Sequence, residues 1–175
     1  MCWPNRNTSK KASINQMNKK FLKREQLLLI SFLIILLDQL SKEWATQALS
    51  PGITKPLLPW LLQLQIVRNT GAAFSLFSNS TFFLGLLSLL VGIGLIVWIW
   101  NHAPVNTWQG LSLAFLLGGT IGNGFDRWRL GHVIDFIELR PIEFPIFNVA
   151  DIAINIALLC FAVDVIKRRN KGQVH

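Results

Sequence analysis

The chain has 175 residues, 51% of them hydrophobic, a mean hydropathy of +0.42 and a formal net charge of +8. That much apolar material in so short a chain excludes an ordinary soluble domain and points to a small polytopic membrane protein. The charge sits in the tails: Arg6, Lys10, Lys11, Lys19, Lys20, Lys23 and Arg24 at one end, Lys167, Arg168, Arg169 and Lys171 at the other. Between residues 26 and 166 acids slightly outnumber bases, so the positive-inside rule accounts for the basicity and no nucleic-acid partner is expected. The two cysteines, Cys2 and Cys160, imply neither a disulfide framework nor a metal site.

Residues 1–25 are polar and basic, without apolar periodicity, and read as a disordered cytoplasmic tail. The apolar run 27–37 could pass for a signal-peptide core, but Asp38 and Lys42 continue its helical register and no small-residue cleavage site follows. Residues 26–49 are therefore expected to form a first transmembrane helix with a polar outer third. Residues 50–80 form an outer loop in which Pro51, Gly52, Pro56 and Pro59 break helix. Within it, 61–67 suits a short strand and 71–77 a helix on the membrane surface. Residues 81–100 carry no charge over about 20 positions, enough to span a bilayer. A third helix is expected over 107–123, with Gly110, Ala114, Gly118 and Gly122 on one small-residue face that lets another helix approach. A second outer loop, 124–147, contains a strand-like segment at 132–139, and 148–166 is the fourth helix, followed by the basic tail 167–175. The domain plan is thus a tail, a membrane domain over 26–166, and a second tail. The fold class is an all-α polytopic membrane protein with four transmembrane helices, a small outer β-element and a short surface helix.

Four spans put both tails on the cytoplasmic side and both long loops outside. Asp38, Asn123, Asp126, Arg127, Asp135, Asn148 and Asp151 then fall at one depth near the outer face, and charge at mid-bilayer costs at least ~2.5–3.5 kcal/mol. Such a cluster needs partners or a purpose. Asp135 sits between Ile134 and Phe136, where partial desolvation is expected, and Asp151 follows Asn148 as an acid follows an N-cap. Paired carboxylates can share a proton and activate water, so Asp135 and Asp151 are the candidate catalytic dyad. Asp38 and Lys42 share a helix face, and Asn123, Asp126 and Arg127 share the end of the third helix, so mutual charge compensation competes with direct function at Lys42 and Arg127. Gly71 and Ala73 leave room for a peptide backbone, and Phe74 offers apolar surface. Three rival chemistries remain: a metal held by His132, Asp135 and Glu138, a Ser–Lys hydrolase using Lys42 with Ser75 or Ser78, and a proton-coupled carrier. The carrier would want acids near the midplane and an internal repeat, and neither is visible.

Five motifs, DQLSK at 38–42, RNTGAAFSLF at 68–77, GGTIGNGFDR at 118–127, GHVIDFIEL at 131–139 and FNVAD at 147–151, together resemble the lipoprotein signal peptidase (signal peptidase II) family. The resemblance implies an aspartic endopeptidase of the bacterial plasma (inner) membrane. It would remove signal peptides from prolipoproteins, cutting before a cysteine that carries diacylglycerol. It puts the family's catalytic pair on Asp135 and Asp151 and its other polar site positions on Asp38, Asn69, Asn123, Arg127 and Asn148. It also implies no metal or organic cofactor, with lipidated precursors and membrane lipids as partners. A monomer with its active site at the outer face is expected.

Overall fold

A computed structural model describes residues 21–71 and 80–172. The expected tail residues 1–20 and 173–175, and the expected surface helix except for Gly71, lie outside the described residues. Four long helices carry the fold: α1 (Arg24–Ala48), α2 (Thr81–His102), α3 (Thr107–Leu130) and α4 (Val149–Gly172). The buried residues of α1 (Leu27, Ser31, Ile34, Asp38, Lys42 and Ala45) recur at helical spacing on one stripe. Its exposed face holds Leu29, Phe32, Leu33, Leu36, Leu37, Leu40 and Trp44. Along the middle of the helix the charged groups Asp38 and Lys42 are inside and the large apolar groups outside, the reverse of a water-soluble helix.

Helix α3 packs against each of the other three helices. Its small residues make this possible: a Cβ on Gly118 would meet Ile34 at 2.7 Å and the Ser31 carbonyl at 3.1 Å, and a Cβ on Gly119 would come within 2.5 Å of the Ala150 carbonyl. Gly118 thus faces α1, as the sequence spacing predicts, and Gly119 seats α4. Ser31 adds a hydrogen bond across the first interface, its hydroxyl donating to the Ala114 carbonyl at 3.0 Å.

Among the described residues, only α2 (Thr81–His102) and α4 (over Val149–Asn170) are long and apolar enough to cross a membrane by composition. The sequence expectation of four such helices is corrected to that extent. The reason is local: α1 and α3 carry Asp38, Lys42, Asn123, Asp126 and Arg127, which lower their mean hydropathy while facing each other inside the bundle.

The remaining elements are small and antiparallel. Strands β2 (Lys55–Leu58), β3 (Leu62–Asn69) and β5 (Val133–Leu139) form one sheet in the order β2-β3-β5. A second pair joins β1 (Phe21–Leu22) to β4 (Val105–Asn106) at the opposite end of the bundle. β1 and the first turn of α1 occupy residues expected to be tail. The larger sheet rests on Ala45 and Leu49 of the α1 end through Leu64 and Phe136. Helix α3 runs seven residues past its expected end, because Gly131 at φ 74 supplies the left-handed cap that a residue with a Cβ adopts poorly. Helix α4 likewise continues through the start of the basic tail.

The end of the bundle away from the sheet is basic and aromatic. Arg24 lies over the Trp100 ring at 4.6 Å and Lys167 over the Trp108 ring at 4.7 Å. Arg168 pairs with Asp164 at 2.8 Å and donates to Gln109 at 2.7 Å, tying the end of α4 to the start of α3.

Candidate active site

The site is assembled by three local devices. The first is the pairing of β5 with β3, which sets Val67 opposite Asp135 and Asn69 opposite Val133. The second is the return segment after β5, where Phe147 bridges Ile137 and so delivers Asn148 beside Asp135. The third is a capping box at the start of α4. The Asp151 N–H donates to Asn148 Oδ1 at 3.0 Å, and the Asn148 N–H donates back to Asp151 Oδ2 at 3.1 Å.

Asn148 therefore touches both candidate carboxylates. Its Nδ2 donates to Asp135 Oδ1 at 2.6 Å, and its main-chain N–H holds Asp151. Asn69 Nδ2 donates to the other Asp135 oxygen at 2.9 Å, and Asn123 Nδ2 donates to Asp151 Oδ1 at 2.8 Å. Asp135 and Asp151 line one cleft of about 1000 Å³ with Asn69, Gly71, Asn123 and Arg127. Arg127 donates to the Gly71 carbonyl at 2.8 Å, while its Nε is buried without a partner among the described residues.

Behind this layer lies a charge cluster sealed from solvent. Lys42 Nζ contacts Asp38 at 2.8 Å, Asp126 at 2.8 Å and Asn123 Oδ1 at 3.0 Å, so each of its three protons has an acceptor. Asp38 also accepts the Ala150 N–H at 2.9 Å, satisfying an orphan donor at the start of α4. Asp126 accepts the Ile134 N–H at 3.3 Å and so ties α3 to β5.

The structure thus brings Asp38, Lys42, Asn69, Gly71, Asn123, Asp126, Arg127, Asp135, Asn148 and Asp151 into one connected network. Ala73 and Phe74 lie outside the described residues, as do Ser75 and Ser78. The contacts of Lys42 are those of charge compensation: every proton is engaged by an acceptor and the residue is 2% exposed. Glu138 is held by Gln63 at 2.6 Å and Gln65 at 2.5 Å, and three-residue spacing puts it on the opposite strand face from Asp135, which breaks up the metal trio. One residue in this network was missed. Gln39 donates to Asp38 at 3.1 Å and Asp126 at 3.0 Å, and its only signal was a polar side chain next to Asp38.

Burial, and secondarily the charge of Asp151, push the Asp135 carboxyl up from 3.8 to about 6, against the opposing hydrogen bonds from Asn69 and Asn148. Between about pH 4 and about pH 6 the folded protein keeps a proton that the unfolded chain has released. Stability therefore falls as pH rises through that window and levels off above it. Asp135→Asn should reduce this slope in the melting temperature measured in detergent between about pH 4 and 7. An unaltered slope would assign it to another group.

A buried carboxylate and a half-buried one coupled through one asparagine, open to a cleft among long helices with outward apolar faces, define a membrane-embedded enzyme of the aspartic-peptidase type. A family model described as Signal peptidase (SPase) II matches residues 30–167. A lipoprotein signal peptidase of Parasynechococcus marenigrum (strain WH8102) is 54% identical over 157 residues, covering 90% of this chain and 99% of that one. Another, from Synechococcus sp. (strain RCC307), is 50% identical over 148 residues, covering 84% and 98%. A solved bacterial membrane enzyme, determined by the in meso method at 2.3 Å resolution, matches with a TM-score of 0.79 at 26% identity, covering 87% of this chain and 94% of that one. The chain belongs to the signal peptidase II family.

Proposed function

We propose that this protein is the membrane aspartic endopeptidase that removes signal peptides from lipid-modified prolipoproteins, with Asp135 and Asp151 as its catalytic pair. The observation that carries the assignment is the position of Asn148, which contacts both carboxylates at the cleft. One carboxylate takes a proton from water, and the water oxygen bonds to the scissile carbonyl carbon. The other, protonated, donates to the carbonyl oxygen. The tetrahedral intermediate then breaks at the C–N bond as a proton passes to the leaving amine, giving a new carboxyl and the free amino group of the lipidated cysteine. Near-neutral titration of Asp135 suits such sharing, and a coupled pair titrates as a unit.

All four helices span the bilayer in this reading. The middle of α1 exposes an apolar face and α3 is packed against its three neighbours, so the exposed charges Glu43 and Arg129 fall near the helix ends. The basic, aromatic end of the bundle is cytoplasmic, which leaves the sheet and the dyad at the outer face. The membrane domain, with β1 and the last turns of α4 drawn in from the expected tails, acts as a monomer. A reporter fused after His175 should read as cytoplasmic; an external reading would put the dyad on the wrong face.

Acyl chains on the substrate cysteine hold it at the bilayer surface, where the cleft lies, so anchoring replaces a dilute encounter with a local one. The purified protein should cut a diacylglyceryl-modified prolipoprotein at least about a hundredfold faster than its unlipidated form. Equal rates on the two would remove lipid from the recognition scheme.

A further inference from the structure

The cleft does not stop at the two carboxylates. It continues with α2 and α4 as walls and α3 as floor, lined by Leu84 and Leu87 of α2 and, deeper, by Ile156 and Leu159 of α4. Three polar side chains interrupt that lining, one from each helix: Ser88, Thr120 and Asn155. Ser88 lies against Gly124, where an added Cβ would come 2.8 Å from the serine Cβ, so it is level with Asn123. Thr120 is about 4.5 Å deeper than Asn123 along α3, and Asn155 is one turn, about 6 Å, deeper than Asp151 along α4. Asn155 Nδ2 donates one proton to the Asp151 carbonyl at 2.9 Å. Its second Nδ2 proton and its Oδ1 have no partner among the described residues. Asn155 is exposed and packs no core.

The chemistry of the substrate gives these groups a task. A signal segment within the bilayer must be helical, because its backbone has no other way to satisfy its polar groups there. Around the scissile bond it must leave the helix so that the carbonyl can reach the dyad. At that junction the last four helical carbonyls lose their intrahelical donors, and the first extended N–H groups need acceptors. Both are costly in an apolar cleft.

We propose that Asn155 and Thr120, with Ser88 on the opposite wall, are substrate-positioning residues that hold the unwound junction of the signal segment just below the dyad. The Thr120 hydroxyl and the free Asn155 amide proton donate to terminal helix carbonyls, and Asn155 Oδ1 and the Ser88 oxygen accept from the extended backbone. The inference rests on the dyad assignment and adds to it how the helical part of the substrate is received.

The test compares two lipidated substrates in detergent: a full prolipoprotein, and a short peptide that carries the scissile bond and lipidated cysteine but lacks the apolar segment. Asn155→Leu should raise KM for the full precursor about tenfold and leave kcat within about twofold, the pattern of a lost contact made equally in ground and transition states. KM for the short peptide should not change, and Asn155→Ser should recover part of the loss. Thr120→Val should repeat the pattern, and it carries the test alone if Asn155→Leu does not fold. Unchanged KM for the precursor would overturn the inference. So would an equal loss on both substrates, which would mean that Asn155 acts through the Asp151 main chain. Asp135→Asn, assayed alongside, separates the two readings. An active Asp135→Asn removes the dyad, whereas an inactive one beside wild-type kinetics for Asn155→Leu removes only the positioning role.

Discussion

Asp135→Asn and Asp151→Asn should each lower cleavage of a lipidated prolipoprotein by about a thousandfold or more while leaving an inserted, folded protein. The substitution keeps the shape of each side chain and removes its capacity to ionise. Its structural cost is bounded. Asp135 accepts from Asn69 and Asn148, so an amide there sets one N–H₂ against a donor and loses a hydrogen bond, worth about 1 kcal/mol. The same change removes a charge from a buried position, which offsets part of that loss. Asp151 is also the third residue of a capping box, and an amide oxygen at that position can still accept the Asn148 N–H, at the loss of the hydrogen bond from Asn123. Melting temperature in detergent should therefore move little while turnover collapses. Wild-type turnover by either variant would sink the assignment. A collapse of both turnover and melting temperature would point instead to a structural role for that carboxylate.

The sequence announced the polar cluster well because its members are types that lipid excludes, and their depth could be counted along each expected helix. Asp38, Asn123 and Asp151 were legible for that reason, Asp135 by its apolar neighbours Ile134 and Phe136 in a strand-like segment, and Asn148 with Asp151 by the spacing of a capped helix start. What stayed hidden was set by distant partners. Residues 124–130 look like loop because Asp126 and Arg127 interrupt an apolar pattern. They are helical because Lys42 and the Gly71 carbonyl satisfy those charges. Strand β2 contains Pro56, which argues against a strand until it is seen at a sheet edge, where a missing N–H costs no ladder bond. Gln39 escaped because an amide next to an acid is unremarkable until two carboxylates from different helices converge on it. Thr120 and Asn155 were invisible for the same reason: only the cleft gives them a common direction.

Lys42→Met should lower the melting temperature severely or prevent recovery of folded protein, and any folded fraction should be scored for activity per molecule. Lys42 is 2% exposed and its ammonium sits between Asp38 and Asp126 at 2.8 Å from each. A methionine fills much the same volume but leaves two buried carboxylates of like charge facing each other. Removing one partner from a buried ion pair typically costs about 3–5 kcal/mol, a large share of the roughly 5–15 kcal/mol that holds a domain together. The penalty comes from the stranded acids, so neutralising them should relieve it. Lys42→Met combined with Asp38→Asn and Asp126→Asn should melt well above Lys42→Met alone. A Ser–Lys mechanism predicts the opposite pattern, a Lys42→Met protein that melts near the wild-type temperature and is inactive because it has lost a base. Melting curves for the single and triple variants, read beside cleavage rates, decide between a lysine that holds the cluster together and one that performs chemistry. A single variant as stable as wild type would refute the first.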